Sequence, residues 1–184
     1  MHNTLFRLLL AGASLILLAA CSTIPDALKS DNPNLITDYS VWQADTEVGN
    51  QVRLGGVVAS VDNLQQRTRV EVVNLPIGSS GKPDIKQEPK GRFVAYIDGF
   101  ADPVALAPGR LISLIGDSQG REQGLVGQYD YDFPVMHATG FHLWRIEERV
   151  IVHETNSYLE PCFGLHCRRS GFSSAHGTVI KEVK

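Results

Sequence analysis

The sequence has no apolar run long enough to span a membrane as a helix. Its longest apolar run, residues 8–20, has 13 residues and would rise only about 20 Å against a hydrocarbon core of about 30 Å. Cysteine is scarce too, with three residues in 184, which excludes a scaffold held together by many disulfides. We therefore expect neither a transmembrane helix nor a disulfide framework.

Positive charge is also in short supply. The chain has 17 Lys and Arg residues against 20 Asp and Glu residues. If residues 1–20 are removed, Arg7 leaves with them, and 16 basic face 20 acidic side chains, a formal charge of −4. Because nucleic-acid binding depends on neutralising phosphates, the sequence predicts no nucleic-acid partner.

The rest of the composition is that of an ordinary globular domain. Apolar residues make up 43% of the chain, aromatic residues 8% and charged residues 20%. Such values exclude disordered and collagen-like classes. About 164 residues remain after residue 20, which is enough for one domain with its own core.

The N-terminus has the three parts of a secretory signal. A short segment with Arg7 precedes the apolar run, and small residues follow it. Leu18-Ala19-Ala20-Cys21 resembles a bacterial lipobox, in which the cysteine is diacylated, the signal is removed before it and its new amine is acylated. The resemblance implies that Cys21 is a lipid anchor, with no other cofactor. Ser22, by similarity to known lipoproteins, implies sorting to the outer membrane.

Strand patterns begin after a polar segment. Residues 21–40, with Pro25 and Pro33, are predicted to be a tether. We predict a β domain over residues 41–153, with a long first strand bent at Gly55-Gly56, a hairpin turn at Asp62-Asn63 and a glycine-rich hairpin after Gly116. Pro134 indicates an edge position or a strand start. Residues 154–184 are predicted to be a weakly structured tail.

Five short strand regions and little helical signal predict an all-β fold. A small, partly open OB-like barrel with a tether before it and a tail after it is the preferred topology, and a β-sandwich is the alternative. A barrel of this kind often binds oligosaccharides or oligonucleotides. Aromatic residues near cations are few, however, with Phe93 and Tyr96 beside Lys90 and Arg92.

Several fragments together resemble the Slp family of Gram-negative outer-membrane lipoproteins. They are the lipobox, Val52-Arg-Leu-Gly-Gly-Val57, Glu71-Val-Val-Asn-Leu-Pro76, Gly91-Arg-Phe93, Gly99-Phe-Ala-Asp-Pro103, Gly109-Arg110, and Tyr129-Asp-Tyr-Asp-Phe-Pro134 through Leu143-Trp144. The resemblance covers roughly residues 18 to 146. It implies a lipoprotein facing the periplasm with an all-β domain, and it supplies no catalytic residues.

The candidate catalytic motifs favour structural interpretations. Ser118 lies in Gly116-Asp-Ser-Gln-Gly120, a literal G-x-S-x-G, but glycines follow where a nucleophile elbow needs a helix. Asp130 and Asp132 would share one strand face about 7 Å apart, as an acid and base pair could, although aspartates meeting water explain the same pattern. We therefore predict that the protein is not an enzyme.

The candidate metal ligands are histidines and cysteines. His137 and His142 would point to opposite faces of a regular strand unless a bulge at Gly140 intervenes. In the tail, Cys162 and Cys167 could bind a metal with His166, and His176 could complete the site. In an oxidising compartment a disulfide between Cys162 and Cys167 is the favoured interpretation, and no metal site is predicted.

Three functions remain open at this stage. The preferred one is a non-enzymatic outer-membrane lipoprotein whose periplasm-facing β domain is an envelope scaffold or interaction module, with a role under stress. Such a scaffold should expose an apolar patch, for which Tyr39 and Trp42 are candidates. The alternatives are a solute- or glycan-binding module with a pocket, and a hydrolase using Asp130 and Asp132. The expected partners are the outer membrane and an envelope protein or glycan.

The disulfide is directly testable. Closing the short loop between Cys162 and Cys167 would stabilise the folded chain by about 2 kcal/mol through loss of unfolded-state entropy. Alkylation of the mature protein followed by mass spectrometry should find both thiols protected without reductant and both labelled after reduction. Two thiols that are labelled without reductant would rule the disulfide out.

Overall fold

The computed structural model describes residues 24–153 and 176–184. The predicted signal peptide (residues 1–20), the lipidation and sorting residues Cys21 and Ser22, and the predicted pair Cys162 and Cys167 lie outside the described residues. Within the described ranges, no helix has the length and apolar character needed to cross a bilayer.

The described residues fall into two compact units, with the boundary between Trp144 and Arg145. The first unit contains a 3-10 turn (Asp26–Leu28), a short helix α1 (Tyr39–Ala44) and the strands β1 (Gln51–Asn63), β2 (Arg67–Leu75), β3 (Gly91–Asp98), β4 (Leu111–Val126) and β5 (Tyr129–Trp144). The second unit contains β6 (Ile146–His153) and β7 (His176–Val183). The sequence placed this boundary after residue 153.

The five strands of the first unit pair in the order β1-β2-β3-β5-β4, and β4 pairs back onto β1. All of these pairs are antiparallel except β3 with β5, where Val94 lies opposite Val135 and Ile97 opposite Ala138. The all-β class is thus confirmed, with strands and almost no helix. The more specific OB-like, partly open barrel stays a prediction.

The core lies inside this ring of strands and follows the period of two that strands impose. Alternate residues of each strand are fully buried, among them Val70 and Val72 of β2, Phe93 of β3 and Met136 of β5. Helix α1 packs against the same cluster. Asp38 caps this helix, because its carboxylate accepts the backbone N–H of Ser40 at 2.7 Å.

Gly55 and Gly56 of β1 allow two strands to approach from opposite sides. Each pairs with β2 and with β4, Gly56 lying opposite Asn74 and Ile112. A Cβ on Gly56 would lie 2.0 Å from the carbonyl oxygen of Val73, which is backbone and cannot rotate away. The glycine pair therefore permits close contact, while the irregularity in the β1–β2 ladder falls later, between Val58 and Ser60.

Two predicted turns lie elsewhere in the structure. β1 continues through Asn63, so that the first hairpin turns at residues 64–66, one step after the expected Asp62-Asn63. β4 runs through the glycine-rich segment after Gly116 and turns only at residues 127–128. Gly120, with φ of 85°, sits at the register shift between Ser118 and Arg121, so a left-handed glycine marks a bulge there.

Pro134 lies inside β5, where the prediction was an edge position or a strand start. It pairs with Arg121 of β4 on one side, and the pairing of β5 with β3 begins at the next residue, Val135. Pro134 therefore lies just before the pairing of β5 with β3 begins, at a position where that pairing requires no N–H from the proline.

The prediction of a weakly structured tail is wrong for residues 176–183. They form β7, which pairs antiparallel with β6 from Ile146–Val183 to His153–His176. β-branched residues such as Thr178, Val179 and Ile180 favour the extended backbone. Cross-strand ion pairs, including Lys181 Nζ to Glu148 at 2.9 Å, stabilise the register.

The glycine pair of β1 gives a prediction with a matched control. Gly56→Ala should lower the free energy of unfolding by about 3 kcal/mol, because the new methyl group meets the Val73 carbonyl. Gly78→Ala, where no atom lies within 4 Å of the new Cβ, should leave stability within about 0.5 kcal/mol. Urea unfolding followed by tryptophan fluorescence measures both. Equal effects of the two substitutions would refute this account.

Candidate interaction surfaces

The N-terminal segment packs on the ring of strands and is not a free tether from residue 24 onward. Leu28 is fully buried, and its carbonyl accepts a hydrogen bond from Arg53 Nη1 at 3.1 Å. Further along, Ile36 bridges to Val52 of β1. The prediction for residues 21–40 is therefore wrong over most of this segment. Isolated apolar residues in a polar stretch give no periodicity, although Leu28 and Ile36 of this segment pack on the strands.

The expected apolar patch at Tyr39 and Trp42 is not exposed. The two side chains are 1% and 0% exposed and belong to the core. Trp42 packs edge-to-face on Phe93, with ring centroids 5.9 Å apart. The Tyr39 hydroxyl donates to the carbonyl of Arg92 at 2.9 Å, and burial raises the pKa of this phenol. The two side chains instead hold α1 on the core.

Ser118 of the G-x-S-x-G motif lies in β4 and is fully buried, where a turn was expected. Its Oγ accepts the indole N–H of Trp42 at 3.0 Å and donates to the carbonyl of Thr46 at 3.1 Å. The hydroxyl is thus occupied by two structural hydrogen bonds. This geometry supports the structural interpretation of the motif, since a nucleophile must reach its substrate.

The outer surface of β2 and β3 is covered by an arm of the same chain. We define the arm as residues 121–134, the paired outer halves of β4 and β5. Phe133 of the arm is fully buried against Val94 of β3, and Tyr131 packs on Phe133 with ring centroids 4.6 Å apart. The arm thereby makes a second, smaller apolar cluster outside the ring.

Charged side chains hold the arm on the same surface. Glu122 accepts a bond from Arg69 Nε at 2.9 Å and another from the Tyr96 hydroxyl at 2.7 Å. Burial, and then this bond to Glu122, raise the pKa of Tyr96, so its phenol stays a donor at neutral pH. Arg69 is half-buried beneath the arm, with Glu71 3.9 Å away on the same face.

The aromatic and basic residues that could have formed a nucleic-acid groove are used within the fold. Phe93 is in the core, and Tyr96 lies under the guanidinium of Arg67 at 3.8 Å. Lys90 pairs with Asp38 at 2.7 Å, and Arg92 pairs with Glu71 at 2.6 Å. Lys90 and Arg92 therefore each have an acidic partner, and Arg67 stacks on Tyr96.

The two candidate aspartates have different surroundings. Asp132 accepts bonds from Arg121 and from Gln123 Nε2, the latter at 2.9 Å. Asp130 is exposed near the tip of the arm, opposite Leu125. Tyr129, next to Asp130 in β5, is 81% exposed. An acid and base pair needs a shared, water-restricted site, and the arm tip does not supply one.

His137 and His142 fall on one strand face after all. Ala138 pairs with Gly116 and Gly140 pairs with Ile115, so Thr139 is an extra, bulged residue of β5. Because of this extra residue, the side chains of His137 and His142 point to the same face of the sheet. The histidines lie opposite Asp117 and Ser113, four residues or about 13 Å apart along β4. No group of three potential metal ligands occurs among the described residues.

His137 borders an open cleft of about 590 Å³. Its Nε2 lies 3.0 Å from Asp98 Oδ1. Ala27 from the N-terminal segment and Phe141 of β5 form the other sides. The size is typical of small-molecule sites. The polar side chains that line the cleft are His137, Asp98 and Thr139, and the Thr139 hydroxyl donates to the carbonyl of Ile115.

Exposed apolar residues on two neighbouring loops of the first unit form the clearest candidate interaction surface. We call residues 63–67 and 99–110 the loop platform. Leu64, Phe100 and Val104 on it are 48%, 77% and 81% exposed. An open cleft of about 760 Å³ lies along residues 63–67. Sequence reasoning missed this surface, and the only signal was apolar residues in a turn-rich segment.

Hydrogen bonds and buried side chains fix the loop platform. The N–H of Gly99 donates to the carbonyl of Gln66 at 2.8 Å, joining the two loops. The buried Thr68 hydroxyl accepts the N–H of Ala101 at 2.9 Å. Leu106 is 1% exposed and inserts into the core from the longer loop. The exposed apolar side chains therefore project from an ordered base.

Comparison with known proteins gives the family. Residues 18–169 match the model of the outer membrane lipoprotein Slp family. Two Escherichia coli proteins are similar: the "Uncharacterized lipoprotein YeaY", 35% identical over 78% of this chain and 75% of its own length, and the "Outer membrane protein Slp", 32% identical over 91% and 89%. A Haemophilus influenzae "Uncharacterized protein" is 38% identical over 52% of each chain. No solved structure matches. The chain belongs to the Slp family of outer membrane lipoproteins.

Proposed function

We propose that this protein is a non-enzymatic interaction module of the cell envelope, anchored by a lipid on Cys21, facing the periplasm and binding an envelope protein through the loop platform. Family membership supports the membrane location. The observation that carries the interaction role is the exposure of Phe100 and Val104 on a fixed loop. A role of this module under stress stays a prediction.

The exposure of the platform residues favours a protein partner. Large apolar side chains on a soluble surface mark interaction sites when they stand together, whereas single ones have no such meaning. Phe100 follows Gly99, which is bonded to Gln66, so the longer loop and the β1–β2 turn carry their apolar residues on adjoining backbone. Aromatic side chains such as Phe100 are enriched in the apolar core of protein interfaces.

The order of the platform makes such binding efficient. Association costs free energy for every side chain and loop segment that it immobilises, about 0.5–1.5 kcal/mol for each flexible side chain. Here the loop backbone is already held by Thr68 and by the buried Leu106. The cost of ordering is met during folding, so more of the apolar burial contributes to affinity.

The arm argues against the alternative of a glycan-binding barrel. OB-like barrels bind oligosaccharides on the outer face of strands 2 and 3. In this protein that face is occupied by Phe133 and Glu122 of the arm. A glycan could reach it only after the arm had left, which would expose a buried phenylalanine and break the Arg69 pair. The cleft beside His137 is the remaining place for a small solute.

The proposal that the protein is not an enzyme rests on the described side chains that sequence motifs singled out. Ser118 is buried and doubly hydrogen-bonded. Asp132 is paired with Arg121, and Asp130 is in open solvent. None of these groups combines access to a substrate with a partner that would activate it, which catalysis requires.

Cross-linking in living cells tests the platform. A photoreactive phenylalanine analogue in place of Phe100 should give one reproducible protein adduct of defined mass. Val104→Glu in the same chain should reduce its yield at least about tenfold, because a charge in an apolar interface centre is costly. Val41→Glu, which alters another exposed apolar residue, should leave the yield unchanged. Gels and mass spectrometry measure the adducts.

Two results would contradict the platform assignment. One is the absence of a protein adduct from position 100. The other is an adduct of the same mass and yield from Leu125, an exposed residue of the arm. A circular dichroism spectrum of each variant, matched to the parent protein, ensures that the comparison is between folded proteins.

The packing of the arm on β2 and β3 gives a separate prediction. Glu122→Ala should destabilise the protein by about 1–3 kcal/mol, because it leaves the half-buried Arg69 without its closest partner. Amide hydrogens of residues 129–133 should then exchange faster. Asp130→Ala, at an exposed position of the same arm, should change neither quantity. The arm assignment fails if both substitutions behave alike in urea unfolding and exchange.

A further inference from the structure

We propose that the protein has no free tether and that one face of the domain lies directly on phospholipid headgroups. The face consists of residues 24–29 and residues 78–82, and we call it the anchor face. The proposal rests on lipidation of Cys21, as proposed above, and adds the orientation of the domain and the surface that meets the membrane.

Covalent geometry sets the first limit. Cys21 and Ile24 are separated by three peptide units, and consecutive Cα atoms lie 3.8 Å apart. Their Cα atoms are therefore at most about 11 Å apart, whatever path the chain takes. A flexible tether of 20 residues would have spanned about 25 Å on average. The span of such a tether exceeds the covalent limit between Cys21 and Ile24 by more than the thickness of a headgroup layer, which is about 6 Å.

The second step is that Ile24 belongs to the folded domain. A Cβ built on Gly81 would lie 3.7 Å from Ile24 Cγ1 and 3.2 Å from Leu28 Cδ1, so both side chains lie next to this loop. Leu28 is fully buried and held by Arg53. A lipid on Cys21 is thus attached, within three residues, to a part of the chain that cannot move without the barrel.

A close contact on the other side of the segment fixes it further. A Cβ on Gly140 of β5 would lie 2.1 Å from the carbonyl oxygen of Ala27. The 3-10 turn therefore rests backbone to backbone on β5, which only glycine permits at this distance. Residues 24–28 therefore lie between Gly81 on one side and Gly140 on the other, which fixes their position on the domain.

The chemistry of the anchor face suits a phospholipid surface. Residues 78–81 are Gly, Ser, Ser and Gly, a tight turn closed by the bond from the N–H of Gly81 to the carbonyl of Gly78 at 2.9 Å. The charged groups are Lys82 and the exposed ion pair of Lys29 with Asp26. The face thus carries a formal charge of +1, whereas the mature chain carries −4.

This charge distribution selects lipid as the occupant. Phosphate groups attract lysine side chains at a membrane surface, and small hydroxyl side chains can donate to them. An acidic face this close to the anchor would have been repelled. A protein partner on the same face would have to fit between the domain and a bilayer to which the chain is bound about 11 Å away.

Lipid cross-linking from the anchor face tests the proposal. The full-length lipidated protein, with a photoreactive phenylalanine analogue in place of Ser79, is reconstituted into vesicles of phosphatidylethanolamine and phosphatidylglycerol. We expect lipid adducts detectable by mass spectrometry. A matched protein with 20 Gly and Ser residues inserted between Thr23 and Ile24 should give at least about fivefold less adduct, while floating with the vesicles to the same extent.

Each result decides a different point. Equal adduct yields from the two proteins, both membrane-bound, would overturn the anchor face and leave the proposed function intact. Failure of both proteins to float would contradict lipidation itself, and with it both proposals. In living cells, a protein adduct from the photoreactive residue at position 79, in place of a lipid adduct, would also overturn the assignment.

Discussion

The architecture depends on one strand, β1, having partners on both sides along the same residues. Gly55 and Gly56 pair with β2 at Leu75 and Asn74 and with β4 at Ser113 and Ile112. At this place a side chain on Gly56 would overlap the backbone of β2. Because the ladder returns to β1, the alternate apolar residues of all five strands point into one enclosed volume. Helix α1, the N-terminal segment and the arm each pack on the frame that this closure creates.

Much of the fold could be predicted from the sequence, because its strands obey local rules. The two-residue alternation of Thr68, Val70 and Val72, and that of Phe93 and Ala95, identifies both the strands and their buried face. The misplaced features depend on distant partners. Gly120 has the conformation of a turn residue yet sits in a bulge of a strand. β7 is a strand only because β6, about 30 residues earlier, pairs with it.

The candidate sites were harder to predict for the same reason. Tyr39 and Trp42 have the composition of an exposed patch, and their burial follows from the cap at Asp38 and the bond to Ser118, 76 residues away. Conversely, nothing local distinguishes Phe100 from a buried phenylalanine. Phe100 is exposed, whereas Leu106 of the same loop enters the core. Motif spacing therefore drew attention to Ser118 and to the Asp130 and Asp132 pair, whereas burial points to the loop platform.

The arm covers the outer face of β2 and β3, whereas the loop platform is exposed. This arrangement favours a module that binds a partner on its surface, and it argues against one that encloses a ligand. An arm held by Phe133 and by the Glu122 pair removes the usual binding face of a small barrel from solvent. The platform, in contrast, keeps large apolar groups in water on backbone that is already ordered. The short link to the membrane that we propose would add to this, since a domain that cannot turn freely presents its loops in one direction. Fixing both the surface and its orientation lowers the entropy lost when a partner binds, so a modest apolar area can suffice.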